Sequence, residues 1–331
     1  MAVESARKLI SVAIKGLAMG AADVIPGVSG GTIAFITGIY EELLETIANL
    51  NFALLKTWRK EGFRVMWTKG NFSFLFALFS GIAISIMSLA MLIEHLLKNY
   101  PIQLWSFFFG LILASVWLVG RTVVKWSFGT IFGLLAGTAA AWYITVMSPS
   151  TGSDNLFYIF VCGAIAVCAM ILPGISGSFI LLLLGAYTTV LGSITSILHA
   201  VKNSDWGAVT QNGLLIVVFL VGCIAGLISF SKVLNWLFKK AHSLTVAILT
   251  GFLIGSLNKI WPWKETLETF IKHKGEHDEE IVPLVQRNIL PNHYETVSHQ
   301  SSELAMAVIL MVVGLGVILL IDYLGRRDET N

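Results

Sequence analysis

Charge is scarce in this chain: charged residues make up 13% of 331, while hydrophobic residues reach 56%. A soluble domain carries about 25% charge. The deficit excludes an ordinary soluble fold and marks an integral membrane protein. An excess of one sign is missing too, because the formal net charge is only +2. That near-neutral sum by itself says nothing about nucleic acid, and no nucleic-acid partner is expected. Cysteine is nearly absent. Cys162, Cys168 and Cys223 lie in apolar segments without metal-ligand or secreted-framework spacing, so buried reduced thiols are expected. A clean cleavage site is lacking at the N-terminus, where Lys15 interrupts the apolar run; a removed signal peptide is not expected.

What is present is long apolar segments. A spanning helix needs roughly 20 mainly apolar residues, and the segments 72–97, 102–120, 127–147, 213–238, 243–261 and 303–324 meet that need. Two more regions, 6–47 and 156–198, are apolar but interrupted. The links between spans set orientation. Segment 51–71 carries Lys56, Arg59, Lys60, Arg64 and Lys69 against Glu61, and Arg121, Lys125, Lys239, Lys240, Arg326 and Arg327 mark further basic links. These are expected on the cytoplasmic side. The loop at about 262–301 is dominated by acids, and 148–155 has no base, so both are expected outside. Both termini then fall in the cytoplasm, provided each interrupted region crosses an even number of times or turns back. The outer loop holds four histidines without tight ligand spacing and is expected to be solvated. Many tryptophans, among them Trp58, Trp105, Trp142 and Trp263, fall near predicted interfaces, as an aromatic belt requires.

The interruptions are alike. "ADVIPGVSGGT" (residues 22–32) and "MILPGISGSF" (residues 170–179) each place proline, glycine and serine inside hydrocarbon-like sequence. A shift of 147 superposes Gly16 on Gly163, Pro26 on Pro173, Ser29 on Ser176 and Tyr40 on Tyr187. A shift of 141 superposes Gly81 on Gly222 and Gly110 on Gly251. The expected fold is therefore an all-α polytopic membrane protein with an inverted-topology repeat and two re-entrant or broken helical regions. Residues 1–147 form the first repeat and 148–331 the second.

Broken backbone inside a membrane is tolerated only where protein buries it or where it lines a wet cavity. Pro26 and Pro173 stop helical hydrogen bonding. Helices restarting after them would aim amide groups at an anion, assisted by the hydroxyls of Ser29, Thr32, Ser176 and Ser178. Simple close packing of small residues is the competing reading. Asp23, three residues before Pro26, is an ionisable group at membrane depth. It either couples transport to a proton or sodium ion, or serves as a local cap or a partner of Lys15. Glu41 follows a short apolar run and is expected at the cytoplasmic mouth, with a possible coupling role. No resident cofactor and no metal are expected. "GVSGG" also spells the G-x-S-x-G of a serine hydrolase, but the strand–turn–helix context is missing and no histidine lies mid-span to act as base; an enzyme is not expected. Nothing in the sequence indicates an oligomeric state.

"KGLAMGAADVIPGVSGGTIAFITGIYEELLETI" (residues 15–47) closely resembles the signature of the bacterial undecaprenyl phosphate translocase family. "ILPGISGSFILLLLGAYTTVL" (residues 171–191) is similar to that family's second repeat. The resemblance runs over nearly the whole chain, and the two PGxSG segments are its most specific parts. It implies return of undecaprenyl phosphate, a polyprenyl phosphate lipid that carries cell-wall precursors, from the outer to the cytoplasmic leaflet of the bacterial inner membrane. By matching residues it implies a headgroup site at Pro26, Gly27, Val28, Ser29, Gly30, Gly31 and Thr32, joined by Pro173, Gly174, Ile175, Ser176, Gly177 and Ser178. The second motif departs from the first in having Ser178 where the first has Gly31. A secondary carrier for a small soluble anion is the alternative function.

Overall fold

The computed structural model describes residues 2–23, 29–147, 152–153, 155–202, 205–272 and 280–329. The first interrupted region forms α1 (Ala2–Asp23), α2 (Gly30–Ile36) and α3 (Tyr40–Ala48). The basic segment forms α4 (Phe52–Glu61) and α5 (Phe63–Lys69). Three long apolar helices follow, α6 (Phe72–Asn99), α7 (Pro101–Gly120) and α8 (Phe128–Val146). The second interrupted region forms α9 (Leu156–Ile171), α10 (Gly177–Leu183) and α11 (Tyr187–Lys202), succeeded by α12 (Trp206–Ser256). A hairpin of β1 (Lys264–Lys272) and β2 (Glu280–Asn288), the short α13 (Pro291–Ser298) and α14 (Leu304–Glu329) complete the described chain.

Helices α6, α7, α8 and α12 are long and apolar enough to cross a membrane, and α10 with the start of α11 forms a pair bent by 109°. At seven residues, α10 is roughly 10 Å long and cannot cross alone, as a re-entrant element requires. The expected spans 213–238 and 243–261 turn out to be two limbs of α12. Its 51 residues would make a rod of roughly 75 Å, far beyond the ~30 Å of a hydrocarbon core. Ala241, at φ −143° and ψ 51°, breaks the rod. Glu45 pairs with Lys239 at 2.7 Å and Glu41 with His242 at 3.2 Å, so acids of α3 flank that break. The second limb ends at Ser256, earlier than its hydropathy suggests, because residues 257–260 turn toward the hairpin. The acidic loop expected to be merely solvated thus contains an antiparallel pair, with Lys264 opposite Asn288, and an anchored start. Trp263 is 2% exposed and donates to the Ser302 carbonyl at 2.9 Å.

Close helix contacts at glycine organise the bundle. A Cβ on Gly16 would lie 2.3 Å from the Leu78 carbonyl oxygen, and one on Gly81 only 2.0 Å from that of Ala13. Between α9 and the first limb of α12, Gly163 faces the Phe219 oxygen at 2.5 Å and Gly222 that of Phe160 at 2.1 Å. Adding 147 to the α1 positions and 141 to the α6 positions converts the first set of contacts into the second. A third offset extends the pattern: adding 141 to α7 positions and 177 to α8 positions links two further pairs of contacts. Gly110 on α7 faces Met311 on α14 as Gly251 on the second limb of α12 faces Leu134 on α8. Gly314 likewise faces Phe107 as Gly137 faces Ile248. The third long helix of each stretch therefore packs against the other stretch. Residues 1–147 and 148–331 are interleaved rather than side by side.

These contacts leave room for hydrogen only, and forcing a larger group into a tight interface costs on the order of 1–3 kcal/mol or more. Gly81→Leu should sharply lower the melting temperature of the purified protein in detergent. Gly213→Ala, with nothing within 4 Å of the new methyl, should not lower it. Equal melting of the two variants would remove the packing role assigned to the glycine contacts.

Candidate functional site

α1 stops at Asp23 and α2 begins at Gly30, with Ser29 as its N-cap at φ −125° and ψ 134°. The first amides of α2 need acceptors within the protein, because Gly30, Gly31 and Thr32 are buried away from water. Each finds one. Gly30 N donates to Asp23 Oδ1 at 2.6 Å. Gly31 N donates to Ser29 Oγ at 3.1 Å, and Thr32 N donates to the Ser29 carbonyl at 2.9 Å. Asp23 is thus a cap for α2. Lys15, the other partner considered for it, donates instead to the Thr37 carbonyl at 2.9 Å.

The two interruptions meet directly. Ser29 Oγ donates to the Met170 carbonyl at 2.9 Å. Gly174 N donates to Thr32 Oγ1 at 2.8 Å. A Cβ on Gly31 would stand 2.5 Å from the Ile171 carbonyl oxygen, so only glycine lets the chains approach this closely. Ser29 is 1% and Thr32 0% exposed. The expectation pictured two helix starts facing a shared space; here hydroxyls of one break are spent on the backbone of the other.

The second break has a different economy of partners. α9 ends at Ile171, just before Pro173, which has no amide hydrogen to continue the ladder. Gly174 adopts φ +86°, a left-handed conformation open to glycine at little cost, and a Cβ there would lie 2.8 Å from Ser256 Oγ. Pro173, Gly174, Ile175 and Ser176 are buried, Gly177 is intermediate and Ser178 is exposed. Ser176 Oγ and Ser178 Oγ lie 2.9 Å apart. Among the described residues, the amides of Gly177, Ser178 and Phe179 have no acceptor. The position equivalent to Asp23 is Met170, so no carboxylate caps α10.

Of the residues expected at the site, Asp23, Ser29, Gly30, Gly31 and Thr32 are brought together with Gly174 and the end of α9. Pro26, Gly27 and Val28 lie outside the described residues. Glu41 is exposed on α3 and engages His242, away from this cluster of bonds. Ser29 Oγ engages the Met170 carbonyl and the Gly31 amide, and Ser176 Oγ engages Ser178 Oγ. Sequence reasoning passed over Lys259 and Lys264. Both line a cavity of about 400 Å³ beyond the end of α12. Their signal was "NKIWPWK" (residues 258–264), two lysines framing two tryptophans on the side otherwise read as acidic.

The Thr32–Gly174 bond offers a direct test. Thr32→Val keeps the shape but leaves the Gly174 amide without its acceptor, a loss on the order of 1–3 kcal/mol for a buried donor. Thr32→Ser retains the oxygen and should melt near the parent protein. If Val and Ser variants melt alike, the bond does not hold the two breaks together.

Residues 19–278, more than half of the chain, match the family model described as VCA0040-like, undecaprenyl phosphate translocase-like. The chain is 47% identical over 310 residues to a polyprenyl-phosphate transporter of Vibrio cholerae serotype O1, covering 94% of this chain and 95% of that protein. It is 34% identical over 261 residues to a polyprenyl-phosphate transporter of Staphylococcus aureus, covering 75% of this chain and 85% of the relative. No solved structure matches it. The chain therefore belongs to the undecaprenyl phosphate translocase-like family.

Proposed function

We propose that this protein translocates polyprenyl phosphate from the outer to the cytoplasmic leaflet of the bacterial inner membrane, returning the lipid carrier used in cell-wall assembly. One observation carries the reading beyond family membership: two broken helices spend buried hydroxyls on each other, through Ser29–Met170 and Thr32–Gly174. These bonds are exchangeable. Parting the breaks frees Ser29 and Thr32 hydroxyls and the Gly174 amide, which are donors a phosphate oxygen accepts from. Only the headgroup needs such a polar path. The prenyl tail can remain in lipid, alongside apolar surfaces such as those of α8 and α14, where Phe132 and Val312 are exposed.

Alternating access follows if the two halves are oppositely oriented, a reading that the equivalent glycine contacts support. The basic α4–α5 segment then faces the cytoplasm with both termini, and the hairpin lies outside. Asp23 acts as a latch on the first break. Its ionised carboxylate holds Gly30 N in a charge-assisted bond, and a proton on Asp23 weakens that bond, so the coupling ion is a proton rather than sodium. The serines work as ligands, and no bond of the substrate is made or broken.

Proteoliposomes carrying a fluorescent polyprenyl phosphate, read by a quencher confined to one leaflet, test the function. The parent protein should accelerate leaflet exchange. Protein-dependent uptake of soluble phosphate or carboxylate, with no lipid exchange, would replace this reading by the small-anion carrier. Asp23→Asn retains an acceptor for Gly30 but cannot take up a proton; exchange should lose its response to an imposed proton gradient. A gradient response equal to that of the parent protein would exclude Asp23 as the coupling group.

A further inference from the structure

The hairpin end of the bundle carries a cavity of about 400 Å³ that plays no part in the meeting of the two breaks. Four elements line it: the end of α8, the start of α10, the turn after α12, and the base of the hairpin. Its lining combines two chemistries. Trp142, Val146, Met147 and Leu267 supply an apolar rim and are all exposed. Lys259, Lys264 and Arg287 supply positive charge to the same lining.

The two lysines are placed unusually for cations. Lys259 Nζ stands 4.2 Å from the ring centre of Phe179, at the start of α10, and Lys264 Nζ stands 4.0 Å from that of Trp105. Both are partly buried, and among the described residues neither ammonium group has a carboxylate within ion-pairing distance. The adjacent acid, Glu265, is taken by Arg287 at 2.6 Å. Burial lowers Lys259 to about 8. Burial, with the charge of Lys259 added, holds Lys264 well below the ordinary lysine value. Two neighbouring cations that lose hydration without gaining a counter-charge are costly, and an anion between them removes the cost.

The surroundings hold the pair in place. Asn258 Nδ2 donates to Thr145 Oγ1 at 2.7 Å, and Asn288 Nδ2 donates to the Asn258 carbonyl at 2.6 Å. These bonds tie α8, the turn and β2 together around the lysines. The cavity also adjoins the second break. Phe179 lines it two residues after Gly177, and Ser256, one turn before Lys259, contacts Gly174.

We propose that Lys259 and Lys264 form a phosphate-monoester subsite at the hairpin end, which takes the headgroup of a polyprenyl phosphate while Trp142, Val146 and Leu267 take its first isoprene units. The inference rests on the polyprenyl phosphate reading and deepens it: the headgroup is captured beside the second break before the breaks part. Exposed apolar side chains beside lysines distinguish a lipid phosphate from free phosphate, which has no use for the apolar ones.

Binding to the full-length protein in detergent tests this, with farnesyl phosphate, inorganic phosphate and farnesol as probes. Farnesyl phosphate should bind the parent protein, and Lys259→Gln with Lys264→Gln should weaken it about tenfold or more through loss of charge-assisted bonds. Undiminished binding by the double variant, with lipid exchange in proteoliposomes intact, overturns the subsite and leaves the transport reading standing. No lipid exchange by the parent protein removes the transport reading itself. Equal affinity for inorganic phosphate overturns the lipid assignment. Lysine modification of the parent protein, read by mass spectrometry, covers the case of a misfolded variant. Farnesyl phosphate should protect Lys259 and Lys264 but leave the exposed Lys56 and Lys125 reactive; absence of that selective protection overturns the proposal.

Discussion

An amide group in hydrocarbon must find an acceptor inside the protein. Among the described residues the long helices meet most of that demand within themselves, and the two interruptions must look elsewhere. At the first the chain repairs the deficit across its own sequence; at the second the Gly177, Ser178 and Phe179 amides have no acceptor among the described residues. Ser29 reaches the end of α9, Thr32 receives the Gly174 amide, and Asp23 closes the remaining gap at Gly30. The repair requires contact distances that only glycine at position 31 permits. Small side chains at the breaks are therefore consequences of one electrostatic requirement, and the close helix pairs around them keep the breaks in register.

The repair is unequal in the two halves. A carboxylate seals the first break, whereas the second carries methionine at the equivalent position and an exposed serine at its start. That open break lies against the far end of α12, while the acids of α3 pair with the same helix at its kink. One kinked helix thus touches the second break at one end and α3 at its middle. A shift of its second limb relative to its first alters both environments together.

Much of this was legible in sequence, for physical reasons. Hydropathy located α6, α7, α8 and α14 because length and apolar content are what a bilayer demands. The glycine offsets were legible because close contacts admit no other side chain. The separation of 213–238 from 243–261 was legible too, since "KKAH" (residues 239–242) reads as a link by charge and the break falls within it at Ala241; that a mere kink joins the two limbs was not, because no proline or glycine marks it. The hairpin lay hidden in an acidic segment whose alternation, "ETLETFIK" (residues 265–272), is short. The motif serines were readable as polar groups in the wrong solvent, but their partners were not. Asp23 caps an amide seven residues ahead, and Ser29 bonds a carbonyl in another helix; neither relation has a sequence period.

The crossing of partners between the halves bears on how the molecule is made. α7 leaves the ribosome early, yet the helix that fills its glycine face is α14, the last one described. Throughout synthesis of the intervening helices, Gly110 must lie against lipid or a provisional neighbour. The bundle consequently cannot mature half by half. Its final tertiary arrangement waits on the arrival of α14, and until then quality-control proteases would meet a chain that is inserted but not yet locked.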